Sequence, residues 1–368
     1  MSAPQEVEPT ATTDLLPIPQ PPAAPSTPVN PLAAHPPTAS NDLQYDGTEQ
    51  GQDSDEVDSA YAGSIIQSET STLDSSILQY REENGRTYHA YGSTEHWGPN
   101  DEQAQDQQDL SHHFWTLVLG GDLYSAPIKD PQDVLDVGTG TGIWAIDVAD
   151  MIPEAVVKGI DLSPIQPAWI PPNLKFEIDD YNKDWVDTNR YDLIHSREIL
   201  GTVPDWVAFY KKAFNALRPG GWMDSTEPTI YLQSIHTPLE KDHPFVMWPT
   251  LFNEIGQKTG ITFDVAPNMK KWMEEAGFVN VEEKILRVAV GKWPKDRKQK
   301  ELGVWNQLRL DTGLRDFTER RMRNVLNWEN DEILVLVAKC RSAVSNSKEG
   351  LYIDLYHVYG QKPEEKKA

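Results

Sequence analysis

Apolar positions along this chain switch between an alternating and a helical period, and each switch marks an element. Val134, Leu135 and Val137 form a short apolar run that reads as a buried parallel strand. A helix pattern follows at Ile143-Trp144-Ala145-Ile146-Asp147-Val148-Ala149, and Val156-Val157-Lys158-Gly159-Ile160 reads as a second strand with Asp161 at its carboxyl end. Residues 174–178 alternate as a third strand and run into Asp179-Asp180-Tyr181, and residues 191–195 are a fourth, closed by His195. Residues 204–217 carry Trp206, Phe209, Tyr210, Ala213 and Leu217 at helical spacing, and Arg218-Pro219-Gly220-Gly221 stops them. A fifth strand at 222–227, a helix at 269–276, a sixth strand at 279–290, a charged helical insert at about 292–349 and a seventh strand at 351–359 complete the series. Ahead of it, Leu110, Phe114, Leu117 and Val118 share one face of an amphipathic helix. Strands alternating with helices predict an α/β fold: a doubly wound seven-stranded sheet with a helical N-terminal cap and a helical insert before the last strand.

The chemistry sits between the first strand and its helix, at Asp136-Val137-Gly138-Thr139-Gly140-Thr141-Gly142. Glycines let the backbone approach a ligand closely, and the following helix offers free N–H groups. Asp161, at the next strand's end, is placed to accept hydrogen bonds from a ribose diol. These features predict a nucleoside-binding crevice. A dinucleotide fingerprint needs G-x-G-x-x-G, but here the third glycine is Gly142, and Ile143 takes the dinucleotide position. Asp136 stands two residues before the first glycine, where a carboxylate would repel a pyrophosphate and can help hold a cation. The Asp-x-Gly-x-Gly-x-Gly loop resembles that of class I S-adenosylmethionine (SAM) methyltransferases, whose cofactor is cationic at its methionine ammonium and its sulfonium. Another nucleotide is the alternative. The expected cofactor contacts are Asp136, Gly138, Thr139, Gly140 and Gly142 from the loop, and Asp161 and Leu162 after the second strand. Asp180 is expected at the adenine amino group, with Tyr181 in apolar contact and His195 at the crevice mouth. His195 is also the candidate general base, the alternative being a histidine that packs or donates to a loop carbonyl. Tyr88 and His89 line the pocket or pack in the core. Asp179, Asp180 and Glu227 can be gathered on paper, but no spacing calls for a metal.

Charge and composition narrow the picture. Of the net charge of −24, half falls on residues 1–79, which hold twelve Asp and Glu and no Lys or Arg. Residues 1–40 contain eleven of the 28 prolines. Such a segment cannot bury enough apolar surface to offset its ordering entropy, so residues 1–76 read as a Pro-rich, acidic tail and residues 77–368 as the folded domain. An acidic chain argues against a direct grip on nucleic acid, which depends on neutralising phosphates. No stretch approaches ~18 consecutive apolar residues, so no membrane span is expected, and no secretory signal is read at the N-terminus. A single cysteine, Cys340, rules out an internal disulfide framework. Lys292-Trp293-Pro294-Lys295-Asp296-Arg297-Lys298-Gln299-Lys300 packs five basic residues into nine positions, which reads either as a nuclear import signal or as a solvated connection.

Residues from about 78 to 364 resemble the fungal LaeA-like methyltransferases of secondary metabolism. The carrying segments are ENGRTYHAY (83–91), LDVGTGTGIWAIDVAD (135–150), GIDLSPIQPAWIPPNLKFEIDD (159–180), YDLIHSREILG (191–201), LRPGGWMDSTEP (217–228) and DLYHVYGQKP (354–363). The fifth strand departs from the family's WVEFQE-like pattern: WMDSTE keeps Glu227 but changes the pocket edge. The resemblance implies SAM as cofactor, velvet-type regulatory proteins as partners and residence in the nucleus. An enzyme of a biosynthetic cluster, methylating a metabolite or peptide in the cytoplasm, is the other reading.

Overall fold

Hydrophobic runs too short for helices and bounded by turn residues become the strands of one large sheet. The computed structural model describes residue 77, residues 79–92, residue 94 and residues 96–365. All of them lie within the compact unit Glu69–Ala368. The expectation for residues 1–76 falls outside the described residues. The chain enters through a hairpin, β1 (Arg81–Glu83) and β2 (Arg86–Tyr88). Asn84 and Gly85 turn it, both at positive φ, as tight hairpin turns require. Helix α1 (Glu102–Val118) follows, capped by the Asp101 carboxylate on the Ala104 N–H.

The main sheet takes β3 (Asp133–Val137), β4 (Val156–Asp161), β5 (Leu174–Ile178), β6 (Tyr191–Arg197) and β7 (Leu217–Pro228) in the order β5-β4-β3-β6-β7, all parallel. The two-residue β8 (Gln233–Ser234) sits at the end of this sheet's strand order. β9 (Val279–Ala289) and β10 (Leu351–Gln361) complete it, with β10 antiparallel to β7, β8 and β9. The seven expected strands are therefore present, with β8 as a short eighth. Strand order reverses between β3 and β6, and a ligand crevice opens beyond the carboxyl ends of strands at such a reversal.

Helices cover both faces. α2 (Ile143–Met151) buries Trp144, Ala145, Val148 and Ala149 with Val134, Val157 and Leu193. α3 (Trp206–Ala216) and α5 (Met269–Ala276) bury Phe209, Tyr210, Met269 and Met273 against Ile194 and Met223. A third core joins α1 to α4 (Pro244–Thr259), α6 (Arg297–Leu326) and α7 (Asn330–Ser345). The insert is thus two antiparallel helices rather than a plain connection. α6 buries polar residues because they have partners across the fold. Arg86 bonds Asp101 (2.8 Å) and Asp316, and Arg320 meets Glu83 at 2.7 Å. These pairs tie the insert to the hairpin and to α1, which builds the expected cap.

Candidate active site

The glycine loop is shaped by hydrogen bonds from its own strand's neighbours and from α1. Gly138 and Thr139 N–H both donate to Ile160 O at 3.0 Å, fixing the loop to β4. Asp161 Oδ2 accepts the Gly140 N–H and its Oδ1 the Ser163 N–H, each at 2.9 Å. One carboxylate so joins the loop to the end of β4, and it lines the cleft with lone pairs to spare for a diol. Burial raises its pKa above the ordinary carboxylate value. The cleft encloses about 1120 Å³ of open space. Gly138, Thr139, Gly140, Asp161, Leu162 and Tyr181 line it, six of the ten residues expected at the cofactor.

The other four stand behind the wall. Asp136 is 3% exposed and accepts from Thr139 Oγ1 at 2.6 Å. Burial pushes its pKa up to about 6, against the Thr139 hydrogen bond. It shapes the loop from within rather than meeting a cation directly. Gly142 begins α2 in the left-handed region (φ 83) and faces the Phe176 ring. Asp180 is occupied by the Thr94 hydroxyl and the Asn182 N–H. His195 is the clearest departure. It is buried at 2%, stacked on Trp144 with ring centroids 3.9 Å apart, and lies 3.4 Å from Asp224. Burial holds its pKa down at about 4 despite that carboxylate. It does not line the cleft. Residues 193–196 are all buried, so strand position did not reveal which face this side chain takes. Asp224 is also held by His357 at 2.6 Å and by the Ser125 and Ala126 N–H groups, whereas both ring nitrogens of His195 are buried without a hydrogen-bond partner. Glu227, likewise fully buried, accepts the Ile199 and Leu200 N–H groups at 2.8 and 3.3 Å.

Several cleft residues come from elements with no motif. α1 supplies Ala104, Gln107, Gln108 and Ser111, the approach to α1 supplies His96 to Asn100, and α6 supplies Asp316 and Phe317. Gln108 Oε1 accepts the Thr141 N–H at 3.1 Å. Among the described residues, Gln107 Nε2 and Asp316 Oδ2 are buried without a partner, and both residues line the cleft. Unpaired buried polar atoms are costly in a finished structure and mark where a ligand completes the network. SAM fits this donor set: Asp161 suits its ribose, Asp316 its cationic end and Gly138–Gly140 its close approach.

A second space adjoins this cleft. It spans about 700 Å³ with its opening to solvent and is walled mainly by Leu200, Ile230, Phe245, Phe252, Leu314 and Ile353. Trp97, Glu198 and Phe317 line both spaces. Glu198 closes β6 in the left-handed region (φ 55), a strained choice for a non-glycine residue that often marks function. Its carboxylate accepts from Ser111 Oγ and from Arg309 at 2.6 Å.

The sheet order, the glycine loop lining the cleft and the carboxylate closing β4 together define a class I, SAM-dependent methyltransferase. Comparison agrees: the family model described as a methyltransferase domain matches residues 116–283. The chain is 37% identical to "Methyltransferase pytC" of Aspergillus terreus, covering 84% of this chain and 96% of that one. It is 33% identical to "Secondary metabolism regulator LAE1" of Cochliobolus heterostrophus, over 77% and 95% of the two chains. It is 30% identical to "Protein-methionine methyltransferase laeA" of Emericella nidulans, over 76% of each. The chain belongs to the LaeA-like family of methyltransferases.

Proposed function

We propose that this methyltransferase serves secondary metabolism by methylating a small molecule held beside the cofactor cleft. The observation that carries this reading is the largely apolar space sharing Trp97, Glu198 and Phe317 with the cleft. A methyl transfer needs donor and acceptor held close and aligned, and two spaces meeting at one wall supply that arrangement. The chain's own part is to position. Asp161, Gly140 and Gln108 hold the loop, α1 and α6 shield the cleft from water, and Glu198 stands where acceptor and donor meet. Bound SAM supplies an electrophilic methyl group.

A regulatory role is the second reading. Relatives named as secondary metabolism regulators favour it, and so does the basic run, whose Lys292, Lys295, Arg297, Lys298 and Lys300 are all exposed. In that reading the protein works in the nucleus with velvet-type partners. Comparing the metabolites of a deletion strain with its parent separates the two: a single altered compound and its relatives supports the small-molecule reading, and many unrelated changes support regulation. Replacing Lys295, Arg297, Lys298 and Lys300 with Gln in a fluorescent fusion tests import. A wild-type fusion excluded from nuclei in both light and dark growth sinks the regulatory reading.

A further inference from the structure

The chamber beside the cleft, about 700 Å³ with its opening to solvent, interrupts a buried core. Phe245, Phe252, Ile230, Leu314 and Ile353 belong to one buried core, and protein cores close to nearly crystalline density with few voids larger than a water molecule. Large apolar side chains line it, and an apolar ligand body would supply the contacts their exposed faces lack.

The charged residues lining the chamber are Glu198 and Arg309, paired with each other. Arg309 is 2% exposed and spans Glu198 at 2.6 Å and Asn306 at 3.3 Å, yet its Nε is buried with no partner. Trp97 Nε1 is likewise buried and unpartnered. Both residues line the chamber, beside the Glu198 that faces the cofactor cleft as well. Two unsatisfied donors and one carboxylate among the residues lining a largely apolar chamber describe a site for an oxygen-bearing head group on an apolar body.

Resting on the small-molecule reading above, we propose that this chamber is the acceptor site, that it takes a flat, apolar phenol or enol, and that Glu198 is its general base. Arg309 and Trp97 orient the acceptor's oxygen toward the cleft. The oxygen attacks the methyl carbon in line, the new O–C bond forms as the C–S bond breaks, and sulfur keeps the electron pair. The acceptor's proton passes to a Glu198 carboxylate oxygen and from there to water. The products are the methyl ether and S-adenosylhomocysteine, with no oxidant or metal in the balance.

The test uses the full chain with 2-naphthol, a flat apolar phenol, as probe. Calorimetry reads 2-naphthol binding in the presence of saturating S-adenosylhomocysteine, and mass spectrometry reads 2-methoxynaphthalene formed from SAM. Leu314→Trp fills the chamber. It is expected to weaken 2-naphthol binding about ten-fold or more while leaving S-adenosylhomocysteine affinity within about two-fold, a ten-fold change being 1.4 kcal/mol. Ile230→Phe, a smaller filling, gives the same reading should Leu314→Trp fail to fold. Glu198→Gln is expected to keep 2-naphthol binding and slow transfer by about 100-fold or more, the usual worth of a general base. Wild-type protein that binds S-adenosylhomocysteine but not 2-naphthol overturns the inference. So does equal 2-naphthol binding by a folded, filled variant, or displacement of 2-naphthol by a methionine-containing peptide. Wild-type protein that binds neither ligand overturns the methyltransferase site itself, a distinct failure.

Discussion

Two glycines of one loop should fail in different ways when given a methyl group. At Gly142 an added Cβ would lie 2.3 Å from Phe176 Cζ and 2.8 Å from its Cε1, with φ at +83°. The left-handed backbone costs an L-residue about 1–2 kcal/mol, and overpacking a buried ring costs about 1–3 kcal/mol more. Gly142→Ala therefore loses about 2–5 kcal/mol of stability, or roughly 5–15 °C of thermal midpoint for a domain of this size. The cleft is not touched, so SAM affinity of the folded fraction stays within about three-fold, under 0.7 kcal/mol. At Gly140 the same Cβ meets Gln108 Oε1 at 2.3 Å, the flexible end of a side chain that can swing away. Doing so releases the Thr141 N–H and puts a methyl group on the cleft wall. Gly140→Ala should thus lose little beyond the backbone term in stability, yet weaken SAM binding about ten-fold or more, at least 1.4 kcal/mol. Differential scanning fluorimetry and calorimetry on both variants decide it. A Gly142→Ala protein with unchanged midpoint and no SAM binding refutes the division of labour within the loop.

Three further outcomes follow from the same contacts. His195, held at about 4 by burial against an unfolded value near 6.5, contributes stability that is present above about pH 6.5 and lost as pH falls toward 4. Asp136, raised by burial to about 6, acts oppositely in that window, so the readout is a difference: wild type should lose thermal midpoint more steeply between pH 6.5 and 4 than His195→Gln does, and parallel curves sink the assignment. Arg86→Met strands Asp316, a buried carboxylate, and Asp101; breaking such a pair costs about 3–5 kcal/mol, and a urea midpoint showing less than ~1 kcal/mol, the worth of a surface pair, contradicts the clamp between hairpin and insert. Restoring part of that loss with the double change Arg86→Met and Asp316→Leu would confirm that the cost is the stranded charge.

Much of the architecture was written in local periodicity. β3 to β6, α2, α3 and α5 each carry their own apolar spacing, so their positions were legible to within a residue or two. The glycine loop and Asp161 were legible because a nucleoside site needs those residue types at those places. α4 was not, because its internal Pro249 and the prolines at 238 and 244 read as breaks, whereas Pro244 sits at the helix start, where a missing N–H costs nothing. α1 begins at Glu102 rather than near 110 because its first two turns are polar and face the cleft and hairpin. Gln107, Glu198, Arg309 and Asp316 escaped notice for a different reason. They meet across more than 200 residues of chain, and no spacing in sequence links them. His195 lies two residues short of the end of β6 and stacks on Trp144 away from the cleft lining; a strand buried on both faces has no alternation from which to read direction.

The central claim is that the loop at Gly138–Gly140 and the carboxylate of Asp161 hold SAM. Titrating SAM into wild type and Asp161→Asn by calorimetry tests it most directly. The amide cannot accept from both the Gly140 and Ser163 N–H groups as the carboxylate does, and it turns a donor toward one of them. Loss of a charge-assisted hydrogen bond is worth about 1.5–3 kcal/mol. The account predicts one SAM bound per wild-type chain and an affinity about 10- to 100-fold weaker in Asp161→Asn, with the circular dichroism spectrum unchanged. Equal affinity in the two proteins, or a wild-type chain that binds no SAM, would contradict it.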